Sequence, residues 1–150
     1  MKDLEFIILV MTTIEAGGYF ASNKEVENYI KLYDDEYPNK KNIKEDIIDI
    51  LSLIKKLKFS PDSLWLRKTT LFTLIVELVF YKHRKKSLLE VSSLRNLLIE
   101  LEEKIVANKS EYMAENKFAK FYKYIYQGTA SRTSRIARGE LLQEFLDKTE

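Results

Sequence analysis

Residues 65–81 read WLRKTTLFTLIVELVFY, and the organisation of the chain follows from that stretch. From Leu71 to Tyr81 apolar side chains fall on nearly every side of a helix, with only Thr73 and Glu77 interrupting them. A helix that is apolar all round has to be enclosed by other elements. The run is far shorter than the roughly 20 residues needed to cross a bilayer, so it predicts a central, buried helix of a globular domain and not a membrane span. Ser60-Pro61 stands where this helix could start, and the basic run Lys82-His83-Arg84-Lys85-Lys86 reads as the connection that follows it.

On the N-terminal side, Leu4, Ile7, Ile8, Met11 and Ile14 recur at helical spacing, and Gly17-Gly18 provide a permissive backbone at which that helix can end. Ser22-Asn23-Lys24-Glu25 has the spacing of a capping box, followed by Val26, Tyr29, Ile30 and Tyr33 on one face and closed by Pro38. Asn42 with Glu45 repeats that logic at the head of a third helix, whose stripe is Ile43, Ile47, Ile50, Leu51, Ile54 and Leu57. On the C-terminal side, Val91, Leu94, Leu98, Leu101 and Ile105 form a seam of alternating three- and four-residue steps, too short for a coiled coil. Phe118, Phe121, Tyr122 and Ile125 mark a sixth helix ending near Gly128, and Ile136, Leu141, Leu142, Phe145 and Leu146 mark a seventh. No stretch alternates as a strand would. The prediction is an all-α fold, one compact bundle of about seven helices around a hydrophobic central helix.

Composition agrees. The 150 residues suit a single domain, and 45% apolar and 32% charged residues with four glycines and two prolines favour helices over sandwich, collagen-like or disordered chains. The chain has no cysteine, which excludes disulfides and thiolate chemistry and fits a reducing cytoplasm. Asp3 and Glu5 stand where a secretory leader would be positive, so a soluble, cytoplasmic protein is expected.

The sequence carries no recognisable catalytic or metal-binding motif. His83 is the lone histidine and lies among four cations, which reads as a surface residue. Asp46 with Asp49, and the run Asp34-Asp35-Glu36, lack the glycine-bearing loop of a calcium site and read as solvated faces. Gln127-Gly128-Thr129-Ala130-Ser131 could place a phosphate at a helix N-terminus, but a C-cap followed by an N-cap explains the same letters. No cofactor is expected.

The net charge is only +2, so any electrostatic footprint must be local. Arg132, Arg135 and Arg138 recur every three residues near the start of the last helix, where cations do not favour the helix itself. Guanidinium groups there could grip nucleic-acid phosphates, or acidic residues of this or a larger protein. Lys117, Lys120 and Lys123 repeat that spacing one helix earlier among Phe118, Phe121, Tyr122, Tyr124 and Tyr126. Such a pattern suits single-stranded nucleic acid, and also an amphipathic helix with an aromatic core face.

Four stretches resemble the helical C-terminal region of a bacterial and archaeal family of domains of unknown function, which includes the GmrSD-type modification-dependent restriction proteins. They are KDLEF (2–6), KLYDDEYP (31–38), LWLRKTTLFTLIVEL (64–78) and YIYQGTASRTSRIARGELLQEFL (124–146), in matching order across nearly the whole chain. The resemblance implies a preceding ParB/sulfiredoxin-like nucleotidase or nuclease half, with catalytic residues around an Asp-Gly-Gln-Arg type motif. No Asp-Gly pair occurs here. It therefore implies that residues 1–150 are a non-catalytic accessory domain, the C-terminal part of a larger defence protein. The implied partner is a ParB-like domain in cis or a separate protein, with DNA as a further contact and no membrane. Arg67 and Lys68 fall in a matched stretch and join Arg132, Arg135, Arg138, Lys117, Lys120 and Lys123 as candidates, for a domain interface first and nucleic acid second.

Overall fold

The computed structural model describes residues 3–20, 23–32 and 36–148. Among these residues seven α-helices follow one another: α1 (Asp3–Ala16), α2 (Asn23–Leu32), α3 (Lys40–Leu57), α4 (Lys68–Lys85), α5 (Val91–Ala107), α6 (Lys117–Tyr126) and α7 (Arg132–Asp147). A short 3-10 turn, Leu64–Leu66, precedes α4. Among the described residues there is no strand, and no helix is long and apolar enough to cross a membrane. The all-helical bundle expected from the sequence is what is found.

Its centre is α4, whose residues Phe72, Thr73, Leu74, Ile75, Val76, Glu77, Leu78 and Val79 are buried in unbroken succession. Only a helix with neighbours on every side can bury consecutive positions, because successive side chains point about 100° apart. Helices α1, α3 and α7 pack directly on it. The seam of α5 is interior as its spacing predicts, with Leu94, Leu98, Leu101 and Ile105 all buried. Gly17 closes α1 in the left-handed region at φ 73°, its N–H returning to Thr13 O at 3.0 Å.

Several boundaries differ from the sequence expectation. The stretch around residues 65–81 is two pieces, broken at Arg67, whose extended backbone (φ −73°, ψ 141°) separates the 3-10 turn from α4. The break lets buried Trp65 donate its indole Nε1–H to Leu98 O at 2.9 Å and meet Phe121 edge-on at 6.0 Å. Glu102 fixes the turn from α5, accepting from Leu64 N at 2.6 Å and from Ser63 Oγ at 3.2 Å. At the other end, Lys82–Lys85 continue α4 instead of forming a connection. Neighbouring carboxylates make this possible: Lys82 bonds Asp46 at 2.9 Å and Asp49 at 3.1 Å, and Arg84 reaches Asp147 at 3.1 Å.

Helix α3 begins before Asn42, which lies inside it. Asn39 occupies the N-cap without a side-chain cap, and its amide Nδ2 donates to Glu15 of α1 at 3.1 Å. On α3 Leu51 is exposed while Leu53 is buried, the reverse of the expected stripe edge. Ser22, Tyr33, Asp34 and Asp35 lie outside the described residues, so the capping box at 22–25, the end of the α2 face and most of the acidic run do too.

Trp65→Phe keeps an aromatic ring but removes the indole donor to Leu98 O, which retains its helical partner, and leaves part of the buried indole volume empty. The expected cost is about 1–3 kcal/mol in urea unfolding, and an unchanged midpoint would contradict the role given to the indole bond.

Candidate functional site

Arg135 and Arg138 are candidates for a domain interface or nucleic acid, with acidic residues of this chain as the other option, and the structure turns both inward. They are 4% and 1% exposed, whereas Arg132, in the first turn of α7, is exposed. Arg138 binds three neutral oxygens: Nε to Thr73 Oγ1 at 3.2 Å, Nη1 to Tyr124 O at 2.8 Å and Nη2 to Thr129 O at 3.1 Å. One guanidinium thereby ties α7 to α4, to the end of α6 and to the loop between α6 and α7. Arg135 donates from Nη1 to Phe20 O at 2.8 Å and lies 5.8 Å from the Phe72 ring centre. Burial lowers the pKa of both, that of Arg138 to about 10, which leaves each cationic at neutral pH. The outward-facing reading is corrected for these two: their fork geometry caps interior oxygens.

Beside them lies a group that the sequence reading had passed over as an interruption of an apolar run. Glu77 of α4 is 3% exposed, and its Oε1 accepts from the Tyr19 hydroxyl at 2.7 Å. Among the described residues its Oε2 has no hydrogen-bond partner. Burial raises the carboxyl to about pKa 7 against the opposing pull of the Tyr19 bond, and burial together with Glu77 holds the Tyr19 hydroxyl well above its ordinary range. Gly139 of α7 makes the approach possible. A Cβ there would stand 2.6 Å from Tyr19 Oη and 2.7 Å from Glu77 Oε1, distances no side chain could share. The α1–α2 loop, α4 and α7 thus meet in one buried polar cluster of Tyr19, Thr73, Glu77, Arg135 and Arg138.

The remaining candidates scatter. Lys117 pairs with Glu144 at 2.6 Å and Lys68 with Asp3 at 2.7 Å. Lys123 is exposed on α6, and Lys120 lines a shallow cleft with Asn108 and Asn116. Arg67 lies 4.5 Å over the ring of Tyr126, a 48% exposed side chain whose other neighbour is Tyr122 at 5.1 Å. Asp46 is more than a solvated carboxylate: burial would raise its pKa, and the bonds from Lys82 and from His83 Nε2, 2.8 Å away, outweigh that and lower it. Among the described residues no group of three or more His, Asp or Glu converges as a metal site. The loop at 127–131 is capped as its letters allow, with Gly128 at φ 58° and Ser131 accepting from Ser134 N at 3.1 Å.

Two clefts open beside α1. One, of about 210 Å³, is lined by Ile8, Met11, Thr12, Glu15, Tyr29, Ile30 and Tyr37. The other, of about 450 Å³, is lined by Glu5, Ile8, Leu9, Val26, Glu27, Ile30, Ala130 and Arg135. Leu4 and Ile7, on the outer side of α1, are 72% and 40% exposed.

No known protein family, curated protein or solved structure matches this chain. The chemistry on offer is that of its own residues: an interior carboxyl that exchanges a proton near neutrality, and an apolar surface on α1 and α2. Substrate could reach the first only if the bundle opened.

Glu77 titrates near 4.5 when unfolded and near 7 when folded, so between those values the folded state holds the extra proton. Stability is therefore full below about pH 4.5 and falls as pH rises through 7, by roughly 3 kcal/mol for this group. Glu77→Gln keeps an acceptor for Tyr19 and should remove the slope: urea unfolding between pH 4.5 and 8.5 should show the variant more stable above pH 7 and the two proteins converging at the acid end. Parallel curves would contradict this. Gly139→Ala, which helix propensity alone would favour by about 1 kcal/mol, should instead lower the melting temperature, overpacking costing roughly 1–3 kcal/mol.

Proposed function

We propose that this chain is a non-catalytic helical accessory domain, an interaction module for a defence-type nuclease or nucleotidase of the ParB-like kind that its sequence resembles. The observation that carries the reading is the one-sided cover of α1. Phe6, Leu9, Val10 and Ile14 pack inward, yet the helix is apolar on its outer side too, where Leu4 and Ile7 are exposed and Ile8 and Met11 half-buried. A contiguous apolar surface of this kind is the usual mark of a protein contact. The inward use of Arg135 and Arg138 supports the same view, since it assigns them to holding the bundle together.

DNA contact is a second reading, and a different observation favours it. Arg67, Tyr126, Tyr122 and Lys123 place an arginine, two aromatic rings tilted 56° to one another and a lysine on the surface around α6, ingredients of a platform on which single-strand bases stack. This shifts the contact away from 132–138. Binding of a labelled single-stranded oligonucleotide should weaken with salt and drop at least tenfold in Arg67→Ala/Lys123→Ala; salt-independent binding would exclude it.

The accessory reading is tested in the genome and then in the tube. A ParB-like domain encoded in frame or in the adjacent gene should co-purify with this chain, and Leu4→Asp/Ile7→Asp should abolish co-purification without unfolding either partner. A neighbourhood without such a domain would overturn it.

A further inference from the structure

Arg138 directs all three nitrogens of its fork at interior oxygens, and Arg135 does not. Arg135 is 4% exposed, yet among the described residues its guanidinium makes one hydrogen bond, from Nη1 to Phe20 O, and pairs with no carboxylate. Nε and Nη2 are left without an acceptor there, and unlike Glu77 Oε2 neither is sealed from solvent. The Phe72 ring, 5.8 Å away, offers a π contact but accepts no conventional hydrogen bond. A cation taken out of water ordinarily has an anion or a full set of acceptors, because burial without either is costly.

Arg135 borders the cleft of about 450 Å³ where α1 and α2 meet the α6–α7 loop. Clefts that hold small molecules run from roughly 300 to 1,000 Å³, so this one has room for a ligand. Its walls are aliphatic: Ile8 and Leu9 face it from α1, and Val26 and Ile30, one turn apart, from α2. Glu5 and Glu27 also line it, and both are exposed. Among the described lining residues Arg135 is the cation.

The donors left over define the ligand. Nε and Nη2 share the edge of a guanidinium that presents two parallel N–H groups, and a carboxylate accepts both at once. One negative charge suits the cleft better than the two of a phosphate, because Glu5 and Glu27 repel what Arg135 attracts. The buried cation outweighs an exposed carboxylate at equal distance, Coulomb energies being about fourfold larger near a protein interior than in bulk water. We propose that the cleft binds a small aliphatic monocarboxylate, with its carboxylate on the Nε–Nη2 edge of Arg135 and its hydrocarbon chain against Ile8, Leu9, Val26 and Ile30. The site is independent of the accessory-domain reading, which concerns the outer side of α1.

Octanoate is the probe, titrated into the full chain at neutral pH by calorimetry and followed by NMR. It should bind at least tenfold tighter than octanamide or octylammonium, and hexanoate, with two methylenes fewer to bury, should bind roughly tenfold weaker. Nuclear Overhauser contacts should run from the octanoate chain to the methyl groups of Ile8, Leu9, Val26 and Ile30. Arg135→Gln should weaken octanoate at least tenfold with native circular dichroism retained. Glu27→Gln, at an exposed position that leaves the fold intact, should tighten it about twofold. Leu4→Asp/Ile7→Asp should leave it unchanged. Equal affinity for octanoate and octanamide overturns the proposal, as do Overhauser contacts to Leu4 and Ile7 in place of the cleft, or unchanged binding in folded Arg135→Gln. If Arg135→Gln unfolds, the octanamide comparison and the Overhauser contacts in the unsubstituted chain decide the matter.

Discussion

Enclosure of α4 leaves its polar side chains no solvent to turn to, and much of the rest of the molecule is arranged around that constraint. Thr70, Thr73 and Glu77 are all buried on this helix. Thr70 donates back to Leu64 O, which holds the 3-10 turn against the first turn of α4. Thr73 accepts from Arg138, and Glu77 accepts from Tyr19. Each of these partners comes from a different part of the chain, so satisfying α4 also sets where the α1–α2 loop and α7 must lie. A buried polar group without a partner costs about 1–3 kcal/mol, enough to make those placements consequential in a domain of marginal stability.

Burying two guanidinium groups is expensive, and the geometry explains how it is sustained. Arg138 has three donors directed at three fixed oxygens from α4, α6 and the following loop, a fit that its planar fork allows and a lysine would not. The nearby carboxyl does not form an ion pair with it; Tyr19 stands between, bonded to Glu77 and close enough to Arg138 for each to influence the other's ionisation. Two guanidinium groups face a single carboxyl, whose pKa burial raises, so the cluster carries net positive charge inside the bundle. Close approach at Gly139 is what allows Tyr19 and Glu77 to meet at all.

With those arginines inside, the outer surface has a different character from the one their spacing suggests. Several surface cations are paired locally, Lys68 with Asp3, Lys117 with Glu144 and Lys82 with Asp46 and Asp49. What remains distinctive is the apolar outer side of α1, where Leu4 and Ile7 are exposed, and Arg67 over the Tyr126 ring. The two differ in charge, and they would suit partners of different chemistry.

Periodicity in the sequence determined the number of helices, the seam of α5 and the central place of α4, because each depends only on the angular order of side chains about one axis. Gly17 was legible for the same local reason, its left-handed backbone needing no knowledge of neighbours. Tertiary structure decided what lies at the edges of each stripe. Leu51 and Leu53 flank the same apolar face of α3, and only the positions of the other helices choose Leu53 for burial. It likewise turned Arg135 and Arg138 inward: their side chains are long enough to run either way, and the direction was set by interior carbonyls at Phe20, Tyr124 and Thr129 that no spacing rule can locate. The lone glutamate in residues 65–81 was visible from the start, but its partner lies 58 positions away, and contact over such a separation exists only once the chain has folded.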